Sequence, residues 1–95
     1  MVSSKNSNWK VKFSPAAQKA LGKLDQQAQI RILKYVKQRL DDTVADPRRF
    51  GEALVGPLVG LWRYRIGTYR LICEIRDDEI LIWILNIRHR KEIYR

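Results

Sequence analysis

Apolar and polar residues alternate through Trp9-Lys10-Val11-Lys12-Phe13, the period-two pattern of a half-buried strand. Ser14-Pro15 follows at once, a hydroxyl able to cap a helix and a proline suited to its first turn. These residues predict a short helix to about Leu21, ended by Gly22. Asp25 is a second N-cap candidate, and a longer helix is predicted from it to about Asp41. Gln29, Leu33, Val36 and Leu40 fall in line on that helix with Ile32 beside them, which reads as its core-facing stripe. The two segments together form a helical hairpin.

Asp46-Pro47 and the stretch Gly51 to Gly60 carry turn residues and little periodicity, so a loop is predicted that can lie against a sheet. Three segments rich in β-branched and aromatic residues follow, Leu61 to Ile66, Tyr69 to Arg76 and Glu79 to Ile87. Gly67-Thr68 and Asp77-Asp78 read as two-residue hairpin turns between them. The order β-α-α-β-β-β predicts an α+β domain, with the helical hairpin packed on one face of a small, mainly antiparallel sheet. Residues 9–95 form that single domain, and the polar residues 1–8 read as a flexible tail rather than a secretory leader.

Hairpin geometry assigns faces. A turn at Gly67-Thr68 sets Ile66 opposite Tyr69 and Arg65 opposite Arg70. Trp62, Tyr64, Ile66, Tyr69, Leu71, Cys73 and Ile75 then share one almost wholly apolar face, the core beneath the helices. Arg63, Arg65 and Arg70 converge on the other face, where like charges side by side cost stability unless an anion sits among them. With Asp77-Asp78 as the next turn, Arg76 faces Glu79, Glu74 faces Leu81, and Ile72, Leu81, Trp83 and Leu85 join the arginine face. Such a basic, partly apolar surface suits an RNA strand or a protein segment. Alternatively, Trp83 is covered by the loop from Ala45 to Gly60.

The formal net charge of +9 on 95 residues, with pI near 10.1, changes the picture from a fold to a partner. Charge of one sign in that density predicts a polyanion, nucleic acid first and acidic protein second. The single cysteine, Cys73, lies in an apolar run and reads as a small buried hydrophobe, consistent with a reducing cytoplasmic setting. One histidine and one cysteine argue against a protein-only zinc site. No apolar stretch approaches membrane-spanning length, so no membrane partner is expected. The ending Arg88-His89-Arg90-Lys91-Glu92-Ile93-Tyr94-Arg95 places a titratable imidazole and a phenol among cations, directly after the strand beside the arginine hairpin. By itself such a tail also reads as a solvated basic patch.

The stretch Leu61-Trp62-Arg63-Tyr64-Arg65-Ile66-Gly67-Thr68-Tyr69-Arg70-Leu71-Ile72 resembles the central hairpin of the RelE/ParE toxin superfamily. Ser14-Pro15 with the early leucines is similar to that family's first helix, and Ile87 to Tyr94 resembles the catalytic tail of its RelE branch. The resemblance covers residues 9 to 95 and implies a RelE-like fold. It implies the toxin of a type II toxin–antitoxin system, a ribosome-dependent endoribonuclease that cuts mRNA in the ribosomal A site and stops translation. Ribosome, mRNA and a cognate acidic antitoxin are then the partners, with no metal and no small-molecule cofactor. The ribose 2′-hydroxyl attacks the adjacent phosphate, which needs a base, a clamp for the phosphorane charge and an acid for the leaving oxygen.

By position, the resemblance makes Arg63, Arg65, Arg70, Arg88, His89 and Tyr94 the catalytic set, with Arg90, Lys91 and Trp83 contacting RNA. Arg63 and Arg65 stand where the RelE branch often has lysine. Arginine does not deprotonate usefully, so both should clamp phosphate, and the base falls on His89, Tyr94 or Lys91. A ParE-type, non-nuclease poison of DNA gyrase shares the hairpin and is the second expectation. A plain nucleic-acid-binding module is the third. The tail is essential in the first case alone.

Overall fold

The computed structural model describes residues 8–43 and 45–89. Strand β1 (Lys10–Phe13) leads into helices α1 (Pro15–Gly22) and α2 (Gln26–Tyr35), and α2 widens into a π-helical turn at Val36–Leu40. Strands β2 (Glu52–Ala53), β3 (Trp62–Ile66), β4 (Tyr69–Arg76) and β5 (Leu81–His89) follow. The sheet runs in the order β1-β5-β4-β3-β2, with β1 parallel to β5 and the remaining pairs antiparallel. Two helices packed on a mainly antiparallel sheet are the α+β arrangement that the sequence pattern predicts. Of the polar tail, Asn8 is described and donates to Asp42 at 2.7 Å, while residues 1–7 lie outside the described residues.

Both helix starts follow from local chemistry. Ser14 Oγ accepts the Ala17 amide at 3.0 Å, and Asp25 accepts the Ala28 amide at 2.7 Å, so each satisfies a donor that the first turn leaves orphaned. The inward stripe of α2 differs from the predicted one by a rotation. Ala28, Ile32, Val36 and Leu40 are buried at steady four-residue spacing, whereas Leu33 is exposed and Gln29 half-buried.

The core is the contact between these helices and the apolar sheet face. Tyr64, Ile66, Leu71, Cys73, Ile82, Ile84 and Ile87 supply the sheet side, and Ala17, Ile32, Val36 and Leu40 the helix side. Trp62 and Tyr69 pack against its margin. Tyr64 is fully buried, and its hydroxyl donates to the Pro47 carbonyl at 2.9 Å, pinning the loop before β2 to the sheet. Cys73 is buried as expected, and desolvation pushes its thiol pKa upward, away from thiolate chemistry.

The first hairpin is as the sequence requires. Gly67 takes φ +60° at the first turn position, the type II′ pattern, and a Cβ there would meet Arg31 Nη1 at 3.1 Å. The second connection is longer than predicted. Asp77–Glu79 form a 3-10 turn and Ile80 is left-handed at φ +52°, so β5 begins at Leu81 rather than Glu79. Arg76 pairs with Leu81, and Glu74 with Trp83, in place of Glu79 and Leu81. Three successive acids stay in solvent this way, with Asp77 paired to Arg48. The shift is by two residues, so Trp83 keeps its face.

A β-bulge was not visible in the pattern and matters more. Ile72 pairs with Asn86 but Cys73 pairs with Ile84, which leaves Leu85 as the extra residue of β5. Beyond it the alternation inverts. Ile87 turns into the core, and Arg88 turns to the arginine face opposite Arg70. Unbulged pairing would have put Arg88 under the helices.

Candidate nucleic-acid interface

The register sets Arg65 opposite Arg70 and Arg70 opposite Arg88, so three guanidinium groups stand side by side on β3, β4 and β5. Arg63 lies two residues along β3, opposite Ile72. Cations so close need compensation, and each finds a different kind. Arg63 Nη2 lies 2.9 Å from Glu52 Oε1, and the Nε atoms of Arg63 and Arg65 each donate to that oxygen at 3.0 Å. Hydrogen bonding from Arg65, then from Arg63, holds the Glu52 carboxyl below its ordinary pKa. The anion expected among the arginines is therefore already there, and it is a side chain of the chain itself.

Arg70 is only 5% exposed, and its Nη1 donates to the carbonyls of Gly67 and Tyr69, both at 3.0 Å. It turns back on the hairpin turn rather than outward. Arg88 is exposed and, among the described residues, has neither ion pair nor hydrogen bond to its side chain. Of the four arginines it is the one left open to an incoming anion.

Arg88 opens onto a cleft of about 580 Å³ between α1 and the end of β5. Strand β1 pairs with Leu81 to Ile84 and stops, so beyond the bulge α1 flanks β5 instead. Lys19 and Lys23 line the helix side, and Tyr69, Asn86 and His89 the sheet side. His89 pairs with Tyr69 across the ladder, the two rings meeting edge to face at 5.2 Å. It therefore lies on the face opposite to that of Arg88, although both line the cleft.

The other predicted positions are not brought to this point. Trp83 sits five residues before Arg88 on β5, roughly 16 Å along the strand, with Arg76 over its ring at 5.5 Å. The loop named as its alternative cover contributes β2 to the edge of β3, two strands away from β5. Arg90, Lys91 and Tyr94 lie outside the described residues. Glu52, Lys19 and Lys23 escaped the sequence reading. For Glu52 there was a signal, because it is the sole acid between Asp46 and Glu74, directly before the arginine hairpin.

Comparison with known proteins agrees with this architecture. A sequence model described as the ParE toxin of type II toxin–antitoxin system, parDE, matches residues 11–94. Toxin RelG of Mycobacterium tuberculosis is 33% identical over 85 residues, spanning 90% of this chain and 94% of RelG. The crystal structure of the toxin–antitoxin complex RelBE2 from the same organism superposes with a TM-score of 0.79 at 30% identity, covering 88% of this chain and 100% of that one. The archaeal RelE–RelB complex from Pyrococcus horikoshii gives 0.65 at 26% identity, covering 88% and 97%. With the family model spanning nearly the whole domain, this chain belongs to the RelE/ParE superfamily of type II toxin–antitoxin toxins.

Proposed function

We propose that this toxin is a ribosome-dependent endoribonuclease that cuts mRNA in the A site. The observation that carries the proposal is the Leu85 bulge, which turns Arg88 onto the arginine face and leaves it unpaired among the described residues beside the cleft. A guanidinium fork so placed suits the charge that develops on a phosphorane during 2′-hydroxyl attack. Arg63 and Arg65 clamp a neighbouring phosphate when it displaces Glu52. Exposed ion pairs of that kind are weak, so a polyanion displaces the carboxylate readily. Arg70 acts as a positioning residue, tying down the turn that carries Arg65. His89 is the proton-transfer candidate that the described cleft contains, and Tyr94 and Lys91 complete the set carried over from the resemblance.

Few groups here have the character of a strong base, so holding the substrate in line must supply much of the rate, and the ribosome provides that. The partner that silences the toxin is an acidic antitoxin. RelBE2 and the archaeal relative are both solved as toxin–antitoxin complexes. In this chain the exposed apolar side chains flanking β2 are those of Phe50 and, on the loop after the strand, Val55, Leu58 and Val59, rather than Trp83. A partner with carboxylates for Arg63 and Arg65 and apolar residues for this loop fits both.

Primer extension on translating ribosomes tests the nuclease. Purified toxin should cut mRNA in the A site and hardly touch naked RNA. The ParE description of the matched family model favours gyrase as the second target. Absent A-site cuts together with inhibited supercoiling would establish that reading in place of the first.

A further inference from the structure

We propose that the cleft between α1 and the end of β5 is a nucleotide subsite. It seats the RNA residue adjoining the phosphate held by Arg88, and the proposal rests on the ribonuclease function above. Charge is the first ground. Lys19, Lys23 and Arg88 line the cleft, and among the described residues no carboxylate does. Several cations elsewhere are paired, Lys10 with Asp42, Arg48 with Asp46 and Asp77, Arg63 and Arg65 with Glu52, and Arg76 with Glu74 and Glu79, while others such as Lys12, Lys34 and Lys37 stand exposed on open surface. Among the described residues the three cleft cations have no such partner. Leaving them unpaired around one concavity costs stability through repulsion, which an anionic ligand removes.

Shape and chemistry narrow the ligand. About 580 Å³ is within the size range of small-ligand sites, and the cleft is open to solvent. Lys19 in the last turn of α1 and Lys23, its C-cap residue with right-handed helical backbone, are four residues apart and therefore stand on one face, spaced to hold a single phosphate between them. The opposite wall carries the Tyr69 and His89 rings. Asn86, on the Arg88 face of β5, has its Oδ1 engaged by the Ile87 amide at 2.8 Å, which orients the side chain and leaves Nδ2 to donate to a base edge at the strand's open side. Phosphate on one wall and a base against rings and an amide on the other is how single-stranded RNA is held. An acidic peptide would satisfy the lysines but not the ring wall. Arg88 belongs to both the arginine row and the cleft, so a strand clamped at the row continues into it.

The test is an NMR titration of the full chain with a 2′-O-methylated RNA trinucleotide, which cannot be cut. The Lys19, Lys23 and Asn86 amides and the His89 ring should shift together. Lys19→Glu/Lys23→Glu should weaken binding at least about tenfold, and the salt dependence of log K should fall by about 0.7 for the one phosphate that is no longer neutralised. Lys19→Ala/Lys23→Ala should weaken it less, in the same direction. Both lysines are exposed, and far-UV circular dichroism verifies that the variants fold. Shifts confined to β3 and β4, with parent-like affinity in the charge-reversed variant, would overturn the subsite while A-site cutting by the parent still stood. Inorganic phosphate matching the trinucleotide in affinity would reduce the cleft to a simple anion site and overturn it too. So would an acidic peptide that moves these signals when RNA does not. Failure of the parent to cut at the A site, or to bind RNA anywhere, would refute the nuclease and the subsite together.

Discussion

Ser14→Ala removes one oxygen that serves two elements. In the parent, Ser14 Oγ accepts the Ala17 amide at 3.0 Å and donates to the Leu85 carbonyl at 2.8 Å. The first bond caps α1, and the second ties the helix start to the bulged residue of β5. The backbone bond from Ser14 N to the Ile84 carbonyl, 2.9 Å, survives the substitution. Loss of a serine cap costs about 1 kcal/mol. A part-buried bulge carbonyl left without its donor costs roughly another 1 kcal/mol. Unfolding in urea should therefore show a stability loss of about 2 kcal/mol, or a drop in Tm on the order of 10 °C for a domain of this size. Ser14→Thr, which keeps both bonds, should lose little. Because pairing beyond Leu85 decides which face Arg88 occupies, loosening the bulge should also speed hydrogen exchange at Ile87 and Arg88. A-site cutting should fall under conditions where the variant is fully folded. A stability loss under about 0.5 kcal/mol would refute the two-bond accounting, because a cap alone exceeds it. The expected destabilisation with unchanged exchange and unchanged cutting would refute the link from Ser14 to Arg88.

Other outcomes follow from the same row of arginines. Glu52→Gln should bind single-stranded RNA severalfold more tightly and with steeper salt dependence, measured by fluorescence anisotropy at two salt concentrations, and unchanged affinity would mean that Glu52 does not compete with phosphate. The carboxyls of Glu52, Asp42 and Asp46 are all held below their ordinary values of 4.5, 3.8 and 3.8. Groups depressed on folding stabilise above those values and cease to do so as pH falls through the folded pKa. The urea midpoint should therefore decline below about pH 4, less steeply in Glu52→Gln than in the parent, and parallel curves would count against the pairing. Arg70→Ala should destabilise the fold by about 2 kcal/mol in urea, since it removes two charged hydrogen bonds to the turn, and an unaltered midpoint would remove Arg70 from its positioning role. Arg88→Ala should leave that midpoint in place yet slow single-turnover cutting about a hundredfold, and parent-like rates would displace Arg88 from the site.

Much of the fold was legible because it rests on short-range rules. Ser14-Pro15 and Asp25 are helix starts by composition, and both cap as predicted. Gly67-Thr68 fixes the β3–β4 register, and from that register the apolar face and the Arg65–Arg70 pairing follow without further information. What could not be read are features decided at a distance. Leu85 bulges where β5 leaves β1 and meets α1, and nothing in its neighbours' identities announces this. Strand β2 is two residues long, too short for any period to register, yet it carries the acid that neutralises two arginines. The rotation of α2, with Ala28 inward and Leu33 outward, depends on how the hairpin leans on the sheet. Lys19 and Lys23 carry no distinguishing pattern in the sequence, and it is the position of α1 along the open side of β5 that brings them to the cleft.

The placement of Arg88 shows why that distinction bears on function. Along the chain Arg63, Arg65 and Arg70 share one phase, and the bulge at Leu85 brings Arg88 onto their face. Folding makes them unequal. Two are held by Glu52, one is folded back on turn carbonyls, and one is presented to solvent at the mouth of a basic cleft. An arginine row fully open to solvent would bind any polyanion it met, because phosphate contacts carry affinity with little selectivity. Internal compensation of three members lowers that background and concentrates unsatisfied positive charge at the end of β5, next to the titratable His89. Geometry at the bulge, more than the number of cations, then decides where a phosphate must sit for reaction. Tight, nonspecific capture of RNA would work against a toxin whose substrate is positioned by another machine. A moderated row with one open guanidinium is the arrangement that such a division of labour requires.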